Sequence, residues 1–92
     1  MNEYIWETIE EINLNLAKRF ANVRKRKKIT QKELSAITGV SYGSIRHFEQ
    51  TGNISLLSLT KLASELGCVD EIRNLFTDVP YRSIEEVLDA YK

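Results

Sequence analysis

Along the first quarter of the chain, Ile5, Ile9, Ile12, Leu16, Phe20 and Val23 recur three or four positions apart, the spacing that lines up one face of an α-helix. Polar residues fill most of the gaps, so the helix is expected to lay this stripe on a core. Thr8 and Glu11 have the spacing of a capping box, which starts the helix at Thr8; a start near Glu3 is the alternative. The period breaks after Lys28. Thr30 and Glu33 repeat the capping spacing ahead of Leu34 and Ile37 as an inward face, and Gly39 stands where a left-handed residue closes this second, short helix. Ser41 is placed to cap a third helix, with Ile45 and Phe48 turned inward and a stop near Thr51 and Gly52. Ser55 heads a fourth, in which Leu56, Leu59, Leu62, Ala63 and Leu66 recur at helical spacing before Gly67. A fifth short helix fits residues 69–76, and Pro80 guards the connection after it. Ser83 and Glu86 then open a last helix, to Tyr91, with Ile84, Val87, Leu88 and Tyr91 on one face. A helix that short is marginal alone in water, so its face needs somewhere to dock. No stretch alternates apolar and polar residues long enough for a convincing strand. The pattern is all-α, without repeats or low-complexity segments.

Length and charge narrow the picture. A chain of 92 residues supports one domain with one modest core, and an oligomer would help its stability. Its formal net charge is zero, which on its own argues against a non-specific polyanion binder. The distribution says otherwise. Glu3, Glu7, Glu10 and Glu11 precede any basic side chain, whereas Lys18, Arg19, Arg24, Lys25, Arg26, Lys27, Lys28 and Lys32 follow with no acid among them. A positive patch on a neutral molecule results, although a charge run taken alone is commonly just a solvated helix end. Cys68 is the single cysteine, so no intramolecular disulfide forms and a buried thiol in a reducing compartment is expected. No apolar run spans a bilayer, and the acidic N-terminus lacks the basic start of a signal peptide. A cytoplasmic protein with no membrane partner is expected.

Two short helices separated by Gly39, Val40 and Ser41 have the form of a helix-turn-helix, whose second helix lies in the DNA major groove. At about 100° per residue, the arc opposite Ile45 and Phe48 holds Gly43, Arg46, His47 and Gln50, with Tyr42 and Ser44 on its flanks. Arg46 can offer a two-pronged donor to guanine, and Gln50 can read adenine or reach a phosphate. Gly43 permits close approach to DNA, while weakening the helix by up to ~1 kcal/mol relative to Ala. Tyr42 can pack on a thymine methyl or bond a phosphate, the plain alternative being a lid over the turn. His47 is either a reader or an ordinary surface imidazole.

The run RKRKKITQKELSAITGVSYGSIRHFEQTGNISLLSLTKLASELG resembles the Cro/repressor-type, xenobiotic-response-element-like helix-turn-helix family. Its recurring features come in order: Arg24 at the end of helix 1, then Thr30, Gln31 and Leu34, then Gly39, Val40 and Ser41, then Ile45, Phe48 and Glu49. The likeness covers about residues 14–67. It implies a five-helix, lambda-repressor-like domain over 14–76, with residues 1–13 as an N-terminal extension of helix 1 and 77–92 as a linker and C-terminal helix. It also implies base reading by Tyr42, Gly43, Ser44, Arg46 and His47. Backbone contacts are implied at Gln31, Gln50, Thr51 and Asn53, with Lys28 from the basic run beside them. The loop at Thr51, Gly52 and Asn53 departs from the family's commoner Lys- or Arg-rich pattern, so backbone and hydroxyl contacts have to substitute there. Arg24 and Glu49 are implied as a partly buried, structural salt bridge.

Catalysis finds little foothold. One His and one Cys in unrelated helices do not make the usual metal ligand set, and no Gly-rich loop is followed by the Lys-Ser/Thr of a phosphate cradle. No cofactor is expected and no enzyme. The leading expectation is a sequence-specific DNA-binding transcriptional regulator, a repressor, reading double-stranded DNA as a homodimer with helix 42–50. The alternative is an antitoxin that binds a toxin protein of the HipA kinase type and represses their shared operon; a helix-turn-helix that binds only protein is a third class.

Overall fold

The computed structural model describes residues 6–78 and 88–89. Among them the chain forms five helices and no strand, α1 (Ile9–Arg26), α2 (Gln31–Thr38), α3 (Tyr42–Thr51), α4 (Leu56–Glu65) and α5 (Val69–Arg73). Four of the five starts are fixed by the residue just before the helix. Thr8 and Thr30 each accept a hydrogen bond from the backbone N–H three residues on, while Glu11 and Glu33 accept from the threonine N–H at 2.8 and 2.9 Å. Ser41 and Ser55 accept from Ser44 N–H and Ser58 N–H. These bonds satisfy donors that a helix leaves unpaired at its first turn. The start at Thr8, rather than near Glu3, is thereby decided. Gly39 and Gly52 close α2 and α3 at φ of 79° and 85°.

The reciprocal bonds have an acid-dependent consequence. Each threonine N–H and hydroxyl holds its Glu11 or Glu33 carboxylate below the ordinary carboxylate range. A depressed folded-state pKa contributes stability that is present above the unfolded value and lost as pH falls through the folded one. Both groups are fully exposed, so the effect is confined to the first turns of α1 and α2. A Glu11→Gln, Glu33→Gln variant, whose amides do not titrate, should lose helicity less steeply than wild type on acidification below that range. Circular dichroism as a function of pH checks this, and equal acid slopes would mean that the boxes contribute nothing.

Packing is set by a few apolar side chains. Leu34, Val40, Ile45, Leu62 and Leu66 form the buried cluster, with Phe20, Val23, Ile29, Ile54 and Cys68 packed around it. Phe48 lies edge-on to Phe20 with ring centroids 5.2 Å apart, a geometry that adds about 0.5–1.5 kcal/mol beyond burial. α1 packs on α3, α2 on α3 and α4, and α4 on α5.

Several positions differ from the periodicity. Ile9, Ile12 and Leu16 are 73, 46 and 38 % exposed, so among the described residues the first half of the α1 stripe faces away from the core. α1 meets α3 further along, where Phe20 packs on Phe48 and Arg24 pairs with Glu49. Ala17 is fully buried as well, and its one methyl gives almost no apolar signal. Ile37 and Leu56 are likewise exposed. α5 is shorter than expected, ending at Arg73 with Asn74 as its C-cap, and Phe76 adopts a left-handed φ of 63°. The expected helix from Ser83 lies outside the described residues except for Leu88 and Asp89, which are helical. Pro80 lies outside them too.

Candidate nucleic-acid interface

The two inward residues of α3, Ile45 and Phe48, are 0 and 1 % exposed. Helical geometry then leaves the opposite arc in solvent. Tyr42, Gly43, Ser44, Arg46, His47 and Gln50 are all exposed, and the structure brings every base-reading candidate onto this one face of α3. No carboxylate among the described residues pairs with Arg46, so its guanidinium is available to an incoming acceptor. Ser41 Oγ donates to Ser44 Oγ at 2.8 Å while accepting from the Ser44 N–H, which leaves the Ser44 hydroxyl proton for another acceptor. A Cβ built on Gly43 meets nothing within 4 Å, and its φ is not in the left-handed region. Among the described residues neither packing nor backbone conformation requires glycine there.

Glu49, beside the apolar face, anchors α3. Its carboxylate accepts from Arg24 Nε at 2.7 Å and Arg24 Nη2 at 2.9 Å, a two-pronged ion pair with side chains only 9 and 7 % exposed. Arg24 Nη1 donates onward to the Ile29 carbonyl at 2.9 Å, tying the end of α1 and the approach to α2 to the same charge. Gln31 completes the network. Its amide Nε2 donates to Glu49 Oε1 at 2.9 Å, so this expected backbone contact is turned toward Glu49 and holds the head of α2 against α3. Charge-assisted bonds of this kind are short and strong, and no buried side-chain polar atom among the described residues lacks a partner.

The other backbone candidates surround the two helices. Thr51 closes α3, with its hydroxyl donating to the His47 carbonyl at 2.7 Å and accepting from the Asn53 N–H at 3.1 Å. That hydroxyl proton is committed inside the loop. Asn53 is exposed, as is Lys28, which sits in the left-handed region at φ 58°. Lys28 follows the C-cap of α1 and returns its N–H to the Lys25 carbonyl, so the basic run ends in a tight reversal just before α2. Gly52 does more than end a helix. A Cβ there would stand 2.6–2.8 Å from Asn13 C, Asn13 O and Leu14 N, because the backbone of α1 passes directly over it.

Two contacts escaped the sequence reading. Gln31 to Glu49 spans 18 residues, and the Lys32 ammonium lies over the Tyr42 ring, 5.5 Å from its centroid. Neither carries a local spacing signal, since both depend on how α2 packs on α3. Among the described residues no group of three His, Cys, Asp or Glu could hold a metal ion, and no helix is long and apolar enough to cross a membrane.

The sequence profile of the helix-turn-helix family matches residues 20–71, which takes in the last two turns of α1, all of α2 to α4 and the start of α5. Neither curated proteins nor solved structures yield a match to the chain. With more than half of its length in that profile, α2 and α3 joined by a glycine turn and bonded through Gln31 and Glu49, and α1 locked to α3 by the Arg24–Glu49 pair, the chain belongs to the Cro/C1-type helix-turn-helix family of DNA-binding transcriptional regulators.

Proposed function

We propose that the protein is a sequence-specific repressor that places α3 in the major groove. The observation that supports this most is the division of α3, with Ile45 and Phe48 buried, Glu49 locked to Arg24, and Tyr42, Gly43, Ser44, Arg46, His47 and Gln50 all facing solvent. On this reading Arg46 is the principal base reader, and Tyr42, Ser44 and His47 share the base edges with it. Gly43 allows the helix to sit deep. Gln31, Gln50, Thr51, Asn53 and Lys28 serve the sugar-phosphate backbone, Gln31 through the amide N–H that its bond to Glu49 leaves over and Thr51 through the loop that its hydroxyl holds together.

Binding as a homodimer fits the chemistry, because one short helix reads few base pairs and two half-sites a turn apart multiply discrimination. An apolar groove of about 450 Å³ runs between α1, α4 and α5, lined by Leu16, Phe20, Leu59, Ile72 and Leu75 among others. It continues the exposed Ile9 and Ile12 side of α1, and this is the face for a second subunit. The same uncovered surface favours the alternative, an antitoxin with a toxin protein bound there. Purification from the native cell separates the two: a stoichiometric second protein supports the antitoxin, and a clean homodimer counts against it.

Selection of bound sites from a random DNA pool tests the main reading and returns half-site, spacing and symmetry. Arg46→Ala should then cost about 1–3 kcal/mol and relax preference at one base position, while Gln31→Ala weakens all sites alike. Log K for the wild type should fall with log salt, by about 0.9 per phosphate neutralised. Salt-insensitive binding, or no enriched site, would sink the DNA reading.

A further inference from the structure

We propose that Lys32 and Tyr42 act as a single reading unit at the head of α3, in which Lys32 grips a backbone phosphate and at the same time fixes the Tyr42 ring against a base edge. This rests on the DNA reading above and adds a specificity-setting residue to it. The two side chains belong to different helices, and the Lys32 ammonium lies 5.5 Å from the centroid of the Tyr42 ring, within the roughly 6 Å over which a cation is held by a ring face. Tyr42 is the first residue of α3 and is 40 % exposed. A tyrosine so placed has several staggered orientations open to it. A cation on one ring face selects among them.

The charge of Lys32 is otherwise poorly placed. It stands in the first turn of α2, where the helix dipole favours an anion and disfavours a cation. The acids nearest to it in the chain and in the network are already engaged: Glu33 holds the Thr30 N–H, and Glu49 holds Arg24 and Gln31. Among the described residues no carboxylate pairs with Lys32, nor with Lys25, Arg26, Lys27 or Lys28 where α1 ends. The Lys32 ammonium meets the Tyr42 ring, which carries no net negative charge to offset the cation; a residue that breaks a local preference in this way is expected at functional sites. An external polyanion provides the missing compensation, and a contact with the ring face still leaves N–H groups of the ammonium on its outer side to donate to it. The ring edge, held in one orientation, then meets a base edge such as a thymine methyl in the groove. Lys32, touching only phosphate, would thereby set preference at a base that it never contacts.

A double-substitution cycle on the selected site and its single-base variants tests the pair, using Lys32→Gln, Tyr42→Leu, both together, and Lys32→Arg. Both positions are exposed, and thermal melts verify that each variant folds. Tyr42→Leu should relax preference at one base pair. Lys32→Gln should relax preference at that same pair about as strongly, and lower the salt slope by about one unit. The double variant should discriminate there no worse than Tyr42→Leu alone, and Lys32→Arg should restore discrimination. If Lys32→Gln lowers affinity for every site equally and leaves that preference intact, or if the two losses of preference multiply independently, the unit is overturned while DNA binding stands. If wild type itself enriches no site, the DNA reading fails and the pair falls with it.

Discussion

Glu49→Ala is expected to destabilise the fold by about 3–5 kcal/mol, because it strands a buried charge. The side chain of Arg24 is only 9 % exposed. With the carboxylate gone it retains only the Ile29 carbonyl, and the Gln31 amide also loses its acceptor. For a domain of this size the total stability is on the order of 5–15 kcal/mol, so the loss is a large share of it. Each kcal/mol lowers Tm by roughly 4–8 °C. Urea unfolding of Glu49→Ala against wild type measures the difference. A loss of ~1 kcal/mol or less is what an exposed ion pair gives, and would show that the pair is not buried in solution. The double variant Arg24→Met, Glu49→Leu should recover much of the stability, since well-packed apolar residues commonly replace a buried pair at little cost. It should still bind DNA less well, because Glu49 also takes the Gln31 bond that holds α2 to α3.

Gly52→Ala should be nearly as damaging, for a steric reason. At φ 85° an L-residue is strained, which costs about 1–3 kcal/mol. The new methyl would also stand 2.6–2.8 Å from the backbone of Asn13 and Leu14, and such overpacking adds a further ~1–3 kcal/mol. A backbone cannot swing aside as a side chain can, so α1 has to move off α3. The other turn glycine separates the two terms. Gly39 has φ 79° with nothing within 4 Å of a built Cβ, so Gly39→Ala should show the strain alone. Thermal unfolding of the two variants side by side checks the order, and equal losses would mean that the α1 contact contributes nothing. Gly43→Ala completes the series with the opposite sign. It should stabilise α3 by up to ~1 kcal/mol and weaken binding to selected DNA, since the only crowding it creates is at the outward face.

Most of the local architecture was legible in the residues. Four helix starts sit one residue past Thr8, Thr30, Ser41 and Ser55, because a capping bond joins groups two or three positions apart and needs no partner from elsewhere. The turn glycines were legible for the same reason. The outward face of α3 followed from 3.6 residues per turn once Ile45 and Phe48 were assigned inward. The Arg24–Glu49 pair, 25 residues apart, came from the order of family residues, which carries the outcome of tertiary packing in compressed form.

Periodicity overreached where it had to guess which elements meet. Ile9, Ile12 and Leu16 make a good stripe, yet no described element covers most of it, and α1 meets α3 further along, through Phe20 and Arg24. An apolar pattern says that a face needs cover; it does not say that the cover lies in the same chain segment. The run 69–76 read as one helix but stops at Arg73, where the left-handed Phe76 carries no sequence mark such as a glycine would give.

By itself, then, the sequence determined the first four helices, their caps, the glycine turn between α2 and α3, and the set of side chains on the outward face of α3, all from interactions that reach no more than one helical turn. Only the tertiary structure decided that Gln31 turns to Glu49, that Lys32 lies over Tyr42, and that Gly52 is required by the backbone of α1. Each of these depends on the separation and angle between helices, which are set by the volumes of buried side chains acting together, and no single residue type or spacing encodes them.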